Sequence, residues 1–267
     1  TYGGLRFWRN TTIASLPAGQ IASLTGGTLG YEWDFEQYRE FYPPGRILMS
    51  ETTLGGQTHH LSLYRHYSSG VRKGLVFGAG TVQWSWGLDG NHDRGSAAPS
   101  LAMQQATVNL FADMGVQPAD LQTASGLTLA IASGDASAPV STIGFPAPGA
   151  SLPAGTAVTI TGTATDAGLV AGVEVSVDGG ATWHPATGTT SWSYAWTPDA
   201  TGSITLKSRA YDDLGNLEVA GSGPAPNVVT VTVTPGSPTA CPCNIFGTEA
   251  PSGAAATDNQ PIELGVK

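Results

Sequence analysis

Between about residue 138 and residue 235 the chain is a series of short runs in which apolar and polar residues alternate. The runs are "TAVTITGTATD", "VAGVEVSVDGGATWHPA", "TSWSYAWTP", "GSITLKSRAYDDLGN" and "NVVTVTVTP", with turn residues between them. A period of two puts every second side chain on one face of an extended strand, so each run offers one apolar face and one wet face. Val173, Val175 and Val177 share a face, as do Trp192, Tyr194 and Trp196, and Asp178-Gly179-Gly180 supplies the positive-φ positions of a tight hairpin. About seven such strands in roughly 100 residues predict two antiparallel sheets packed face to face, an all-β immunoglobulin-like sandwich. This stretch contains no cysteine, so its core must be packed Val, Ile and Trp without an inter-sheet disulfide.

The first half reads differently. "LRFWRNT" and "GRILMSETTL" read as strands, and "KGLVFGAGTVQWSW" as a buried strand running into a glycine turn. In "AAPSLAMQQATVNLFADMG", Met103, Ala106, Leu110, Phe111 and Met114 recur at helical spacing, Pro99 suits a first turn and Gly115 fits just past the end. Residues 1–132 are therefore expected to form an α/β segment, 138–235 the sandwich, and 236–267 a Pro/Ser/Gly linker with the start of a further extracellular domain. The first residue is not Met, and the chain reads as a piece of a longer protein.

Charge and hydropathy exclude several classes of partner. Only 12% of the 267 residues are charged and the formal net charge is −9, so there is no basic stripe to displace counterions from a phosphate backbone and nucleic acid is excluded. No apolar run approaches the roughly 18 residues of a membrane span. Abundant Thr, Gly and Ser with few Lys suit a secreted or cell-surface bacterial protein. Cys241 and Cys243 are one residue apart, where a mutual disulfide would close a strained ring.

Several stretches invite a chemical reading. Gly90-Asn91-His92-Asp93 spells a turn used by metallophosphatases, but two metals require an upstream Asp-x-His and a Gly-Asp-x-x-Asp, and the sequence has neither. His92 and Asp93 stay candidates for a site because they follow a strand expected to be central, where α/β folds place their ligands. A thiolate nucleophile is excluded, since residues 1–240 hold no cysteine, and the strand-to-turn segment Gly78-Ala79-Gly80-Thr81 has no serine for a nucleophile elbow. His59 and His60 are adjacent and on a strand would face opposite ways, so they cannot chelate one ion. In "LGYEWDFE", Glu32 and Asp34 are two apart, which puts both carboxylates on one side of a strand, fit for a metal or a general base; a structural carboxylate bonding to the next loop is the alternative. Asp166, Asp178, Asp212, Asp213 and Asn216 fall in sandwich turns, where they suit a weak calcium site formed by Asp166, Asp212 and Asp213 or serve only as turn formers. Trp183, Trp192 and Trp196 suit either a glycan-stacking platform or the sandwich core.

Taken together, "GGTLGYEWDFE", "GAGTVQWSWGLD", "HD" and "MQQATVNLFADMGVQP" resemble the C-terminal part of the N,N-dimethylformamidase large-subunit-like domain, a relative of the class I glutamine amidotransferase fold, over about residues 1–122. Residues 138–235 resemble bacterial Ig-like modules, and "VEVSVDGGATW" with "WSYAW" is also similar to the C-terminal sandwich of sulfite-oxidase-type enzymes. "CPCNIF" with "IELGVK" resembles the opening of a domain found in large, repetitive bacterial exoproteins. The first resemblance implies an N-terminally incomplete amidotransferase-like domain, with iron held by upstream tyrosines and by Glu32. Three functions stay open at this level. One is a non-catalytic structural or adhesive segment whose partners are neighbouring domains, cell-surface proteins or glycans; the others are an iron-dependent amidohydrolase acting on a small amide, and a carbohydrate-binding module.

Overall fold

A computed structural model describes residues 2–37, 42–95, 97–221 and 226–236. Ser96 and the tail carrying Cys241, Cys243 and the expected further domain lie outside the described residues. In chain order the strands are β1 (Ile47–Leu48), β2 (Thr52–Leu54), β3 (Gln57–His59), β4 (Ser62–Ser68), β5 (Val71–Gly78), β6 (Val140–Phe145), β7 (Ser151–Pro153), β8 (Val158–Thr165), β9 (Val170–Ser176), β10 (His184–Pro185), β11 (Thr187–Gly188), β12 (Ser191–Trp196), β13 (Gly202–Asp212) and β14 (Val228–Thr234). One α-helix, α1 (Leu101–Asp113), lies between β5 and β6.

The second half is the sandwich that its alternation predicts. One sheet has the order β10-β9-β13-β14-β7 and the other β11-β12-β8-β6. Neighbours pair antiparallel except β14 with β7, which run parallel. Their inner faces share a core of Ile143, Ile160, Val173, Val175, Trp192, Leu206, Val229 and Val231, and burying each such side chain stabilises by about 1.5–3 kcal/mol. Trp192, only 2% exposed, crosses the position where a Gly162 side chain would project, so β8 needs glycine there. Polar groups inside the sandwich are paired: Ser141 and Ser208 hydroxyls meet at 2.8 Å, and the buried Glu218 carboxylate accepts from the backbone N–H of Ser141 and Ala210 and from Asn227 Nδ2. A buried carboxylate with this many donors is a brace, because leaving such groups unpaired would cost more than the bonds gain.

The first half is built mostly of turns. "LRFWRNT" forms a 3-10 turn at Arg6–Trp8 instead of a strand. Leu5, Phe7 and Trp8 are all buried, a demand that alternation cannot meet and that a tight turn meets, with Trp8 N–H donating to Leu5 O at 2.9 Å. "GRILMSETTL" yields the short β1 and β2. The strand in "KGLVFGAG", read as buried, is β5, an edge strand of the antiparallel sheet β1-β4-β5 and exposed along its first half. Lys73 and Gly74 explain its place, since a charged and a glycine residue suit an edge better than a doubly covered centre. Among the described residues, then, the first half carries two antiparallel sheets, β1-β4-β5 and the pair β2-β3, with one α-helix and no parallel α/β layer.

Helix α1 forms as its spacing predicts. Ser100 caps it by accepting from Met103 N–H, and Gly115 follows its end at φ +81°. Met103, Ala106 and Leu110 are buried while Phe111 and Met114 face outward. Two polar residues on the inner face bind it in place: Asn109 Nδ2 donates to the carbonyls of Phe7 and Arg9, and Gln105 bonds to both the N–H and the C=O of Thr128.

The two halves share a core. Along β13 the two-residue period turns Leu206 and Ala210 into the sandwich and Tyr211 out of its other face, where Tyr211 joins Leu5, Phe7, Trp8, Ile47, Met49, Leu61, Leu63, Ala106 and Leu110. Ile160→Ala should cost about 2–5 kcal/mol, because the buried residue leaves a cavity that the two sheets cannot close. Ile131→Ala, at a site 80% exposed, should stay within about 0.5 kcal/mol. Denaturant unfolding of both variants checks the contrast.

Candidate functional site

Glu32 and Asp34 lie on an extended strip fixed from both sides by backbone bonds. Asp34 N–H donates to Gly80 O, Val82 N–H to Glu32 O and Glu36 N–H to Thr58 O. Both carboxylates are exposed, beside a shallow depression of about 410 Å³ lined by Tyr31, Trp33, Phe35, Gln57 and Gly80. Beneath them sits His59, 4% exposed, whose Nδ1 is 2.9 Å from Asp34 O. Burial lowers the His59 pKa, the Asp34 carbonyl pulling the other way, so the ring is neutral and its Nδ1–H anchors the strip. His60, just past the end of β3, points away, to Ser50 O and towards Glu36. Glu32 shares no group of three or more His, Cys, Asp or Glu ligand atoms within mutual reach among the described residues, and His59 has its Nδ1 engaged by a carbonyl.

His92 and Asp93 are held by a turn. Asn91 N–H donates to Asp89 Oδ1, and the His92 ring stacks on Trp86 at 4.4 Å with its Nδ1 3.0 Å from Asp93 O. Asp93 is 75% exposed on its side chain, and the guanidinium of its neighbour Arg94 lies 3.7 Å away. The Arg94 guanidinium reaches over the Tyr31 ring at 5.0 Å, so the loop borders the Glu32 strip without forming one ligand group with it.

A third group assembles at the base of the sandwich. Ligand oxygens of Asp135, Asp166 and Asp212 lie within 4.8 Å of one another. Asp166 comes from the turn after β8, Asp212 ends β13, and Asp135 belongs to the connection that leads into β6. Asp213 does not join them: adjacent to Asp212, it faces the first half, where its Oδ2 accepts Arg6 N–H at 2.7 Å. Asp212 is 1% exposed, and burial pushes its carboxyl up to about 6 despite hydrogen bonds from Asn216 and Leu214. Asp178 is spent in its own hairpin; burial raises its pKa, but bonds from Thr182 and Ser176 outweigh that and bring it to about 2. The tryptophans form no flat platform, since Trp192 is buried and the Trp183 ring is covered by Arg209 at 3.9 Å. Asp135 went unseen in the sequence because it sits among small residues in "ASGDASAP", far along the chain from its companions; the one signal was a lone acid in an otherwise uncharged connection.

Two consequences of the His59 anchor can be measured. Gly80 has φ +60°, and a Cβ there would stand 2.7 Å from His59 Cε1, so Gly80→Ala should destabilise by about 1–3 kcal/mol. The depressed His59 pKa means that the folded chain binds the proton less readily than the unfolded one. Its contribution is complete above the ordinary histidine value of about 6.5 and is lost as pH falls through the lower folded value. His59→Gln should flatten stability against pH in that acid window.

Comparisons with known proteins fit this division. Residues 2–96 match the family model described as N,N-dimethylformamidase beta subunit-like, C-terminal, and residues 139–211 match that of the bacterial Ig domain. No curated protein sequence matches the chain. Among solved structures, the fibronectin(III)-like modules of Clostridium thermocellum CbhA are 24% identical over 35% of this chain and 94% of theirs, with a TM-score of 0.30. The PKD domain of an M14-like peptidase from Thermoplasmatales archaeon SCGC AB-540-F20 is 19% identical over 36% of this chain and 92% of its own, with a TM-score of 0.27. No helix of the described residues is long and apolar enough to cross a membrane. The chain thus joins a segment matching the dimethylformamidase beta subunit-like C-terminal family to one matching the bacterial Ig domain, the arrangement its motifs predict.

Proposed function

We propose that this chain is a structural and interaction segment of a secreted, multidomain bacterial protein, in which the Ig-like sandwich and the dimethylformamidase-like segment act as one rigid strut that holds neighbouring domains at a set spacing. The observation that carries the reading is the turn after β13. Arg65 Nε donates to Leu214 O at 2.9 Å, Tyr67 OH donates to Gly215 O at 3.1 Å, and Leu217 N–H donates to Tyr67 OH at 3.1 Å. Gly45 N–H adds a bond to Glu174 Oε1 on β9. A module free to swing would keep these groups in water, whereas Arg65 is only 8% exposed, and separating the halves would strand a guanidinium and several carbonyls.

The exposed setting of Glu32, outside any acidic or histidine cluster among the described residues, supports a scaffold role for the first half. Secretion agrees with an Ig-like module and with the low charge of the chain. Spin labels at Ala14→Cys and Thr201→Cys, both exposed, in a chain carrying Cys241→Ser and Cys243→Ser, give the distance between the halves. A single narrow distance distribution is expected; a broad one spanning tens of ångströms would overturn the strut.

A further inference from the structure

The first half holds a larger cavity, of about 710 Å³, whose walls include neither Glu32 nor Asp34. Its floor is the apolar core: Trp8, Met49 and Leu61 are buried, and Trp84 stands beside them. The outer wall is the irregular stretch 16–29, in which Ile21 is 89% exposed and Leu24 packs inward. A volume of this size suits a small molecule whose apolar body is enclosed while a few polar groups set its orientation. Two such groups are present. His59, only 4% exposed, has its Nδ1–H committed to Asp34 O at 2.9 Å. A carbonyl can only accept, so this bond fixes the tautomer and leaves Nε2 a bare acceptor on a ring that burial keeps neutral. Nε2 has no hydrogen-bond partner among the described residues and is not sealed in the interior; the ring borders this cavity. At the rim, the exposed Glu51 carboxylate accepts from Tyr2 OH at 3.1 Å. Burial and then the bond to Glu51 push the Tyr2 phenol up to about 12, so the tyrosine stays a neutral donor and the negative charge stays on Glu51. Among the described residues Glu51 is the one charged side chain that lines the cavity, and no Lys or Arg does.

We propose that this cavity binds an apolar amine, with Glu51 taking the ammonium and His59 Nε2 accepting an N–H or O–H donor carried on the ligand's body. The body itself lies on Trp8, Met49 and Leu61, where its apolar surface leaves water. The aromatic rings of Tyr2 and Trp84 in the same walls favour a cation further. Acids are selected against, because a carboxylate or phosphate would meet Glu51 with no cationic side chain to offset it. A neutral His59 suits this ligand as well, since it accepts a hydrogen bond without adding a positive charge that would repel the ammonium. Binding in the cavity does not depend on the strut reading, so each fails without the other.

Dansylcadaverine tests the assignment, because it combines an apolar ring system, a sulfonamide N–H and a terminal ammonium; its matched acid, dansyl-aminohexanoate, is the control. Titrated into the full chain and followed by fluorescence, the amine should saturate at one per chain with a Kd on the order of 10⁻⁵ M. The acid should bind at least about tenfold more weakly, since attraction to Glu51 is replaced by repulsion. Glu51→Gln, at an exposed position where the amide oxygen can still accept from Tyr2 OH, should leave the fold intact by circular dichroism and bring the two affinities within about threefold. In the unaltered chain, the nitrogen resonance of His59 Nε2 should move when the amine saturates. No saturable binding of the amine below about 1 mM would overturn the site. So would equal affinity for the acid, a preference that survives Glu51→Gln, or a His59 Nε2 resonance that saturating amine leaves in place.

Discussion

Everything in this molecule depends on how one turn satisfies its backbone. The residues from the end of β13 onward, Asp212 to Leu217, are driven into contact with the first half of the chain, where most of them are buried from water. Inside the turn, Asp212 Oδ1 accepts from Leu214 and Asn216 N–H. Outside it, Arg65 and Tyr67 on β4 take the carbonyls of Leu214 and Gly215. Gly215, at φ +72°, permits the approach, since a Cβ there would stand 2.8 Å from Arg65 Cβ. Each partner is needed because the others are buried, which is why the contact is specific as well as stable.

From that turn the rest follows in two directions. Backward along β13, the alternation that sends Ala210 into the sandwich sends Tyr211 into the other core, so one strand belongs to both halves. Burial raises the Tyr211 phenol pKa far beyond its ordinary value, and this tyrosine stays neutral as an apolar wedge. Forward, Glu218 braces β6 and β13 from within the sandwich. The Ig-like module is thereby committed to its neighbour along one face of its five-stranded sheet, a covered face where an isolated sandwich would be wet. The acidic group of Asp135, Asp166 and Asp212 sits at the edge of this contact.

How much of this could be read from the sequence varies with the range of the interactions. The sandwich was legible because period-two alternation is a local signal that the partner sheet merely confirms, and α1 because the spacing of Met103, Ala106 and Leu110 agrees with Gly115 at its end, although Pro99 falls just before the Ser100 cap and not in the first turn. The 3-10 turn at Arg6–Trp8 was not, because Leu5, Phe7 and Trp8 look like strand residues until it is known that the adjacent Phe7 and Trp8 are both buried. The edge position of β5 escaped for the same reason: an apolar run does not say how many of its faces are covered. At the candidate sites, Glu32 and Asp34 are both exposed on one strip, but no local pattern tells that His59 supports it from below. Asp166 and Asp212 were visible as turn acids; that Asp135 joins them and that Asp213 turns away to Arg6 N–H is decided by the docking, which is a long-range fact.

The central claim is that the two halves are energetically one body. Differential scanning calorimetry tests it most directly, because a chain whose halves share Tyr211 and the Arg65 contacts should melt in a single transition with equal calorimetric and van't Hoff enthalpies. Arg65→Ala, which strands the Leu214 carbonyl, should split that transition into two. Two independent transitions in the unaltered chain, with Arg65→Ala shifting only the one that belongs to the first half, would contradict the account.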